Sequence, residues 1–195
     1  AGQKNLTKEG CDALVQTGLL ADLYEAAEAD KLTSVNRDAF RQFLGLFQII
    51  NLTAIVDYNL SLAEMIQLGK YDWANDSNTA ERFPLPGEGK WEVGYEIVHL
   101  NRSISSKDAV AEIKKRGLEP AKIEELLAFG AAYPDLQRKF PIIALDSVAR
   151  GDGRRRVASL YRDDAGRYLF LRGWGGDWGA GFRFLAVRNR RRLEA

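Results

Sequence analysis

Apolar positions recur along this chain with two periods, and the change of period divides it. Up to residue 69 the steps are of three and four: Leu14, Leu19, Leu20 and Leu23, then Phe40, Phe43, Leu44 and Phe47. Such spacing lines one face of a helix. Ser34 or Asn36 stands where the second of these helices needs an N-terminal cap. Ser61 with Glu64 three residues on predicts a capping box for a short helix from Leu62 to Leu68, which Gly69 closes. The stretch "DWANDSNTAERFPLPGEGK" (72–90) is rich in turn formers. A helical N-terminal domain over residues 1–75 and a linker over 76–90 are therefore expected.

From Trp91 the period shortens to two. In "WEVGYEIVHL" (91–100), Val93, Tyr95, Ile97 and His99 share one parity and Glu92 and Glu96 the other, which predicts a strand. Ser105 or Ser106 caps an amphipathic helix that runs through Arg116 and ends at Gly117. Pro120 is placed to open a second helix, with Ile123, Leu126, Leu127 and Phe129 as its buried stripe. Four strand-like pieces follow, at 141–148, 154–162, 167–173 and 182–188, separated by turn signals such as "GDG" (151–153) and "DDAG" (163–166). Strand, helix, helix and a run of antiparallel strands make the expected fold class α+β.

The chain's chemistry is sparse. One cysteine, Cys11, and one histidine, His99, leave no internal disulfide, no cysteine-based zinc cluster and no histidine-built metal site. His99 has no nucleophile elbow to serve and reads as structural. Glu124 and Glu125 are adjacent, so a helix points them apart; they read as a solvated helix face, and Asp163/Asp164 as part of a turn. "GWGGDWG" lacks the Gly-Lys-Ser/Thr ending and the following helix of a phosphate loop. No catalytic residue, metal or cofactor is assigned. No apolar run approaches the length of a membrane span and no signal-peptide core precedes the first helix, so the expected location is the cytoplasm or a virion. Net charge is +1 but uneven: residues 1–139 carry 16 basic and 21 acidic residues, and residues 140–195 carry 12 arginines against 6 acids. The run "RNRRR" (188–192) could neutralise phosphates, but no aromatic is interleaved with it. Residues 190–195 are therefore expected to be a solvated basic tail, and nucleic-acid binding is the weaker inference.

The segment "GRYLFLRGWGGDWGAGFRFLAVR" (166–188) is more informative. In the strand 167–173, Leu169 and Leu171 share one face and Tyr168, Phe170 and Arg172 the other. With the leucines in the core, two aromatics and an arginine stand on the solvent side, near Tyr161 and Arg167 and followed by Trp174 and Trp178. Tyrosine, tryptophan and arginine dominate binding hot spots because they bury much area at little entropic cost. Glycines at 173, 175, 176, 179 and 181 predict a surface loop.

The order strand, two helices, antiparallel strands and a closing "FRFLAVR" resembles the C-type lectin fold of the variable proteins of diversity-generating retroelements, a microbial or viral family. The resemblance covers residues 91–189, with "ELLAFGAAYPDLQ" (125–137) and "GGDWGAGFRFLAVR" (175–188) its most specific parts. It implies a C-type lectin-like variable domain behind a small helical domain, acting as a non-enzymatic binding protein. A reverse transcriptase would mutate adenines in chosen codons, diversifying a surface that meets a macromolecular, foremost protein, ligand. Asn codons randomised at adenine reach Tyr161, Arg167, Tyr168, Phe170, Arg172, Gly173, Gly175, Gly176, Asp177, Gly179 and Ala180, which the resemblance makes the variable, ligand-binding set. They do not reach Trp174 or Trp178, which become fixed anchors of the scaffold. Lys, Glu, Gln and Met, also unreachable, are absent from Tyr161 to Arg188, an absence that extends over residues 140–193. The formylglycine-generating enzymes share the fold and a "GFR"-type strand, but they need cysteines that this domain lacks. No Glu-Pro-Asn-like run offers the calcium and sugar site of true lectins. Two other functions stay open: a hydrolase or transferase using acidic residues in a cleft, and a nucleic-acid binder using the arginine-rich C-terminus.

Overall fold

In "LTAIVD", Leu52, Ala54 and Val56 alternate with Thr53 and Ile55, and this period of two forms the strand β1 (Leu52–Asp57). The computed structural model describes residues 52–194 except Arg150 and Asp152, so the helices expected between Leu14 and Phe47 lie outside the described residues. β1 pairs antiparallel with β3 (Lys90–Val98), Leu52 opposite Tyr95 and Asp57 opposite Lys90. The helical expectation for residues 1–75 is thus corrected at β1, whose β-branched residues pair with a strand beyond the supposed linker. Residues 76–90 do not divide this unit, which runs from Asn51 to Ala195. Phe83, within them, is buried in the same core as Val56 and Val93.

The short helix α1 (Leu62–Leu68) forms with its capping box complete: the Ser61 Oγ accepts the Glu64 N–H, and Glu64 Oε2 accepts the Ser61 N–H at 2.7 Å. Downstream come β2 (Trp73–Ala74), β4 (Ile104–Ser105), α2 (Ser106–Lys115), β5 (Glu119–Pro120), α3 (Ile123–Ala132), α4 (Pro134–Gln137), β6 (Ile142–Val148), β7 (Arg156–Arg162), β8 (Arg167–Gly173), β9 (Asp177–Trp178) and β10 (Arg183–Arg192). The protein is α+β, with more strand than helix among the described residues. Ser105 caps α2, and Gly117, at φ 74°, follows its end. Pro120 does not open α3, as its sequence position suggests. It pairs with Ala186 of β10, and the Ala121 N–H donates to Leu185 O, so the chain stays in the sheet until Lys122.

The main sheet has the order β1-β3-β10-β6-β7-β8-β2, with β5 beside β10. Pairing is parallel for β10 with β6 and for β2 with β8, and antiparallel elsewhere. β4 and β9 form a separate two-stranded ribbon. Alternation along the strands builds two cores, one on each face. Ala144, Leu160, Leu169 and Leu185 join Leu126, Leu127 and Phe129 of α3 and Leu62 and Met65 of α1. Ile143, Leu145, Val157 and Phe184 join Ala109 and Ile113 of α2 and Trp178 of β9.

β10 continues to Arg192, so the expected basic tail is mostly strand. Arg190, Arg191 and Arg192 lie opposite Val93, Glu92 and Trp91. Their charges face carboxylates: Arg191 meets Glu92 at 2.9 Å, Arg192 meets Glu88 at 3.6 Å, and Arg190 bridges Glu119 and Glu125. Arg188 adds a pair with Glu96 at 3.5 Å.

Candidate functional site

β8 lies near one edge of the sheet, with the two-residue β2 beyond it. Leu169 is fully buried, and Leu171 packs half-buried against the same core. On the other parity Tyr168, Phe170 and Arg172 are half-buried, and so is Tyr161, which pairs with Tyr168 across β7 and β8. The four side chains form one cluster. The Tyr161 ring stacks on Tyr168 at 6.3 Å and meets Phe170 edge-on at 5.8 Å. The Arg172 guanidinium lies 5.4 Å from the Tyr161 ring, 5.8 Å from Phe170 and 5.3 Å from Phe182. Its Nε is buried without a hydrogen-bond partner among the described residues.

Trp73, absent from the residues expected here, joins this set through β2. Pairing of Trp73 with Tyr168 sets its ring 5.0 Å from Phe170, and it remains 42% exposed. Its position inside a run of turn formers hid it, because the pairing joins residues about a hundred positions apart. The signal that could have found it is the "YDW" triplet after the Gly69 helix stop, which interrupts the polar run with aromatics. The Tyr168 hydroxyl donates to Asp163 Oδ1 at 2.8 Å, which raises the tyrosine's pKa and lowers that of Asp163.

The loop after β8 is held at a few points and open between them. Trp178 is 4% exposed, its Nε1 donating to Ser106 Oγ at 2.9 Å. Ser106 Oγ donates in turn to Trp174 O at 2.7 Å, tying the loop to the first turn of α2. Trp178 packs edge-on against Phe182 and Phe184. Trp174 is only half-buried, with the Arg155 guanidinium 4.5 Å above its ring. His99, exposed beyond β3, donates from Nε2 to Ala180 O at 2.9 Å. Gly173, Gly175, Gly176, Asp177, Gly179 and Ala180 are exposed.

The glycines of this loop differ from those of the scaffold. A Cβ added at Gly173, Gly175, Gly176, Gly179 or Gly181 would meet nothing within 4 Å, and none of the five has a positive φ. At Gly130 a Cβ would run into Tyr71 and Leu160, and at Gly166 into Asp72.

Two placements correct the sequence-based picture. Arg167 belongs to the displayed set only by proximity; it is 5% exposed and shares the parity of Leu169. Its guanidinium donates to Gly69 O at 3.0 Å, Gly130 O at 2.8 Å and Gln137 Oε1 at 3.2 Å. Arg167 thereby ties α1, α3 and α4 to β8, so it acts on the scaffold side. Gln137, fully buried and also missed, donates to the carbonyls of Tyr161 and Tyr168 and fixes the β7–β8 hairpin. Glu124 and Glu125 are not a solvated face. Both are buried, because α3 packs on the sheet, its edge strand β1 included, and against α1. Glu125 accepts the Lys122 N–H at 2.7 Å and the Arg190 Nε at 2.6 Å. Burial raises the pKa of Glu124, and the neighbouring Glu125 raises it further.

Among the described residues no cluster of His, Cys, Asp and Glu could hold a metal ion. Nor is any helix among them long and apolar enough to cross a membrane. No known protein family, curated protein or solved structure gives a significant match to the chain.

Proposed function

We propose that this is a non-enzymatic binding protein, presenting one sequence-tolerant face on a C-type lectin-like scaffold. More particularly, it is a variable protein of a diversity-generating retroelement, and its ligand is another protein. The observation that carries this reading is the division among the glycines. Five sit in the 173–181 loop with open space at the Cβ position and no backbone need for glycine, whereas Gly130 and Gly166 are held to glycine by their neighbours. A segment that keeps glycines it does not structurally require is one whose residues are free to change. The adjoining patch supplies the affinity: Tyr161, Tyr168, Phe170 and Trp73 offer ring area, and Arg172, held against the Tyr161 and Phe170 rings, offers a guanidinium charge. That combination fits a protein surface bearing a carboxylate among apolar side chains.

One observation favours the enzymatic alternative, a cleft that contains Glu124 and Asp57. The nucleic-acid alternative loses support, since Arg188 and Arg190 to Arg192 each face a carboxylate.

The test is genomic. Sequencing the DNA around the coding gene should reveal a reverse transcriptase and a near-copy of the stretch encoding residues 161–188. The two copies should differ only where the template has adenine, and the codons of Arg167, Trp174 and Trp178 should be identical in both. Differences scattered over all four bases, or no second copy, would overturn the proposal.

A further inference from the structure

α3 carries a carboxyl that the Arg190 network does not use. Glu124 is 2% exposed, and its Oε1 is buried without a hydrogen-bond partner among the described residues. A buried carboxyl oxygen is stable only when a donor reaches it. Glu124 lines a cleft of about 380 Å³ between β1, α1 and α3, within the usual range of small-molecule sites, about 300–1,000 Å³. The cleft's other walls are hydrocarbon, including Ala54, Met65, Leu127 and Ala128. Asp57 also borders it, but its carboxylate is engaged by Lys90 at 3.3 Å and by the Asn59 N–H at 3.1 Å. At the mouth stand Ile55 and Leu68, each 58% exposed. A single unsatisfied acceptor in an apolar cleft that opens onto exposed aliphatic side chains defines a ligand with one donor head and one aliphatic body.

The geometry points to a binding site for a small aliphatic amine, whose ammonium donates to Glu124 while its chain lies between β1 and α3 toward Ile55 and Leu68. An ammonium brings both the missing donor and the opposite charge that lets a buried carboxylate ionise. The site is independent of the displayed face, since α3 packs on the opposite side of the sheet from Val157 and Phe184.

Titration calorimetry with hexylamine, hexanol and hexanoate on the full chain tests the assignment, with Glu124→Gln and Ala128→Phe as variants. Hexylamine should bind saturably, hexanol more weakly, and hexanoate not at all. Glu124→Gln, nearly isosteric, should weaken hexylamine roughly ten- to a hundredfold through loss of a charge-assisted hydrogen bond, and leave hexanol within about twofold. Ala128→Phe fills the cleft and should abolish both. Three results would each overturn the proposal: no saturable hexylamine binding to the folded protein, unchanged affinity in Glu124→Gln, or full binding by Ala128→Phe.

Discussion

At the scale of single residues, burial separates neighbours that the sequence writes alike. Glu124 and Glu125 stand side by side, but Glu125 is satisfied by Arg190 and a backbone amide, while one oxygen of Glu124 meets no donor among the described residues. Burial raises the Glu124 pKa above the ordinary 4.5, so the folded chain holds a proton there that the unfolded chain has released. Between those two values the folded state binds more protons, and stability falls as pH rises through the window. Glutamine cannot ionise and escapes that loss. Thermal melts of wild type and Glu124→Gln should nearly coincide at about pH 4 and separate in favour of the variant at about pH 8. A gap that did not change with pH would show that Glu124 is charged in the native state. Periodicity finds that α3 is a helix with a buried stripe, but it assigns polar residues to solvent by default. The packing of α3 against α1 and the edge strand β1 joins residues distant in sequence, and no local pattern announces it.

At the scale of elements, β8 shows what a strand pattern reveals and where it was misapplied. Alternation placed Leu169 and Leu171 in the core and Tyr168, Phe170 and Arg172 across from them; Leu169 is fully buried, whereas Leu171 is half-buried, as are the three residues opposite. The same rule puts Arg167 with Leu169; its nearness to the aromatics and the reach of a mutated Asn codon suggest otherwise. Stability should therefore alternate along the strand. Leu169→Ala should cost roughly 2–5 kcal/mol through lost burial and a residual cavity. Arg167→Ala should cost about 2–4 kcal/mol, because it strands the carbonyls of Gly69 and Gly130. Tyr168→Ala and Arg172→Ala, half-buried on the open side, should cost about 1 kcal/mol or less. Urea melts of the four variants decide it; equal losses at Tyr168 and Leu169 would make both faces of β8 core. β1 was legible in principle, since its alternation and β-branched residues are ordinary strand signals. It was overridden by the helical period on either side. β2 was not legible, because a two-residue parallel pairing with β8 has no periodicity to detect.

For the whole molecule, the central claim is a division of labour. Under the proposed function, one face of the sheet, with α1, α3, Arg167 and Gln137, holds the fold, and part of the other, from Trp73 across Tyr161 and Phe170 to the 173–181 loop, is open to change. The second core under α2 reaches this open region through Trp178 and its hydrogen bond to Ser106, with Trp174, Phe182 and the His99 contact to Ala180 O as further points of attachment for a loop of mostly exposed residues. The most direct measurement is the folded fraction of two libraries, scored by resistance to proteolysis. One library randomises Tyr161, Tyr168, Phe170, Arg172, Gly173, Gly175, Gly176, Gly179 and Gly181 together. The other randomises Gly130, Gln137, Ser159, Leu160, Gly166, Arg167, Leu169, Trp178 and Phe184. A majority of the first library should resist proteolysis at the wild-type threshold, and almost none of the second. Similar survival in the two libraries would contradict the division between a fixed scaffold and a displayed face.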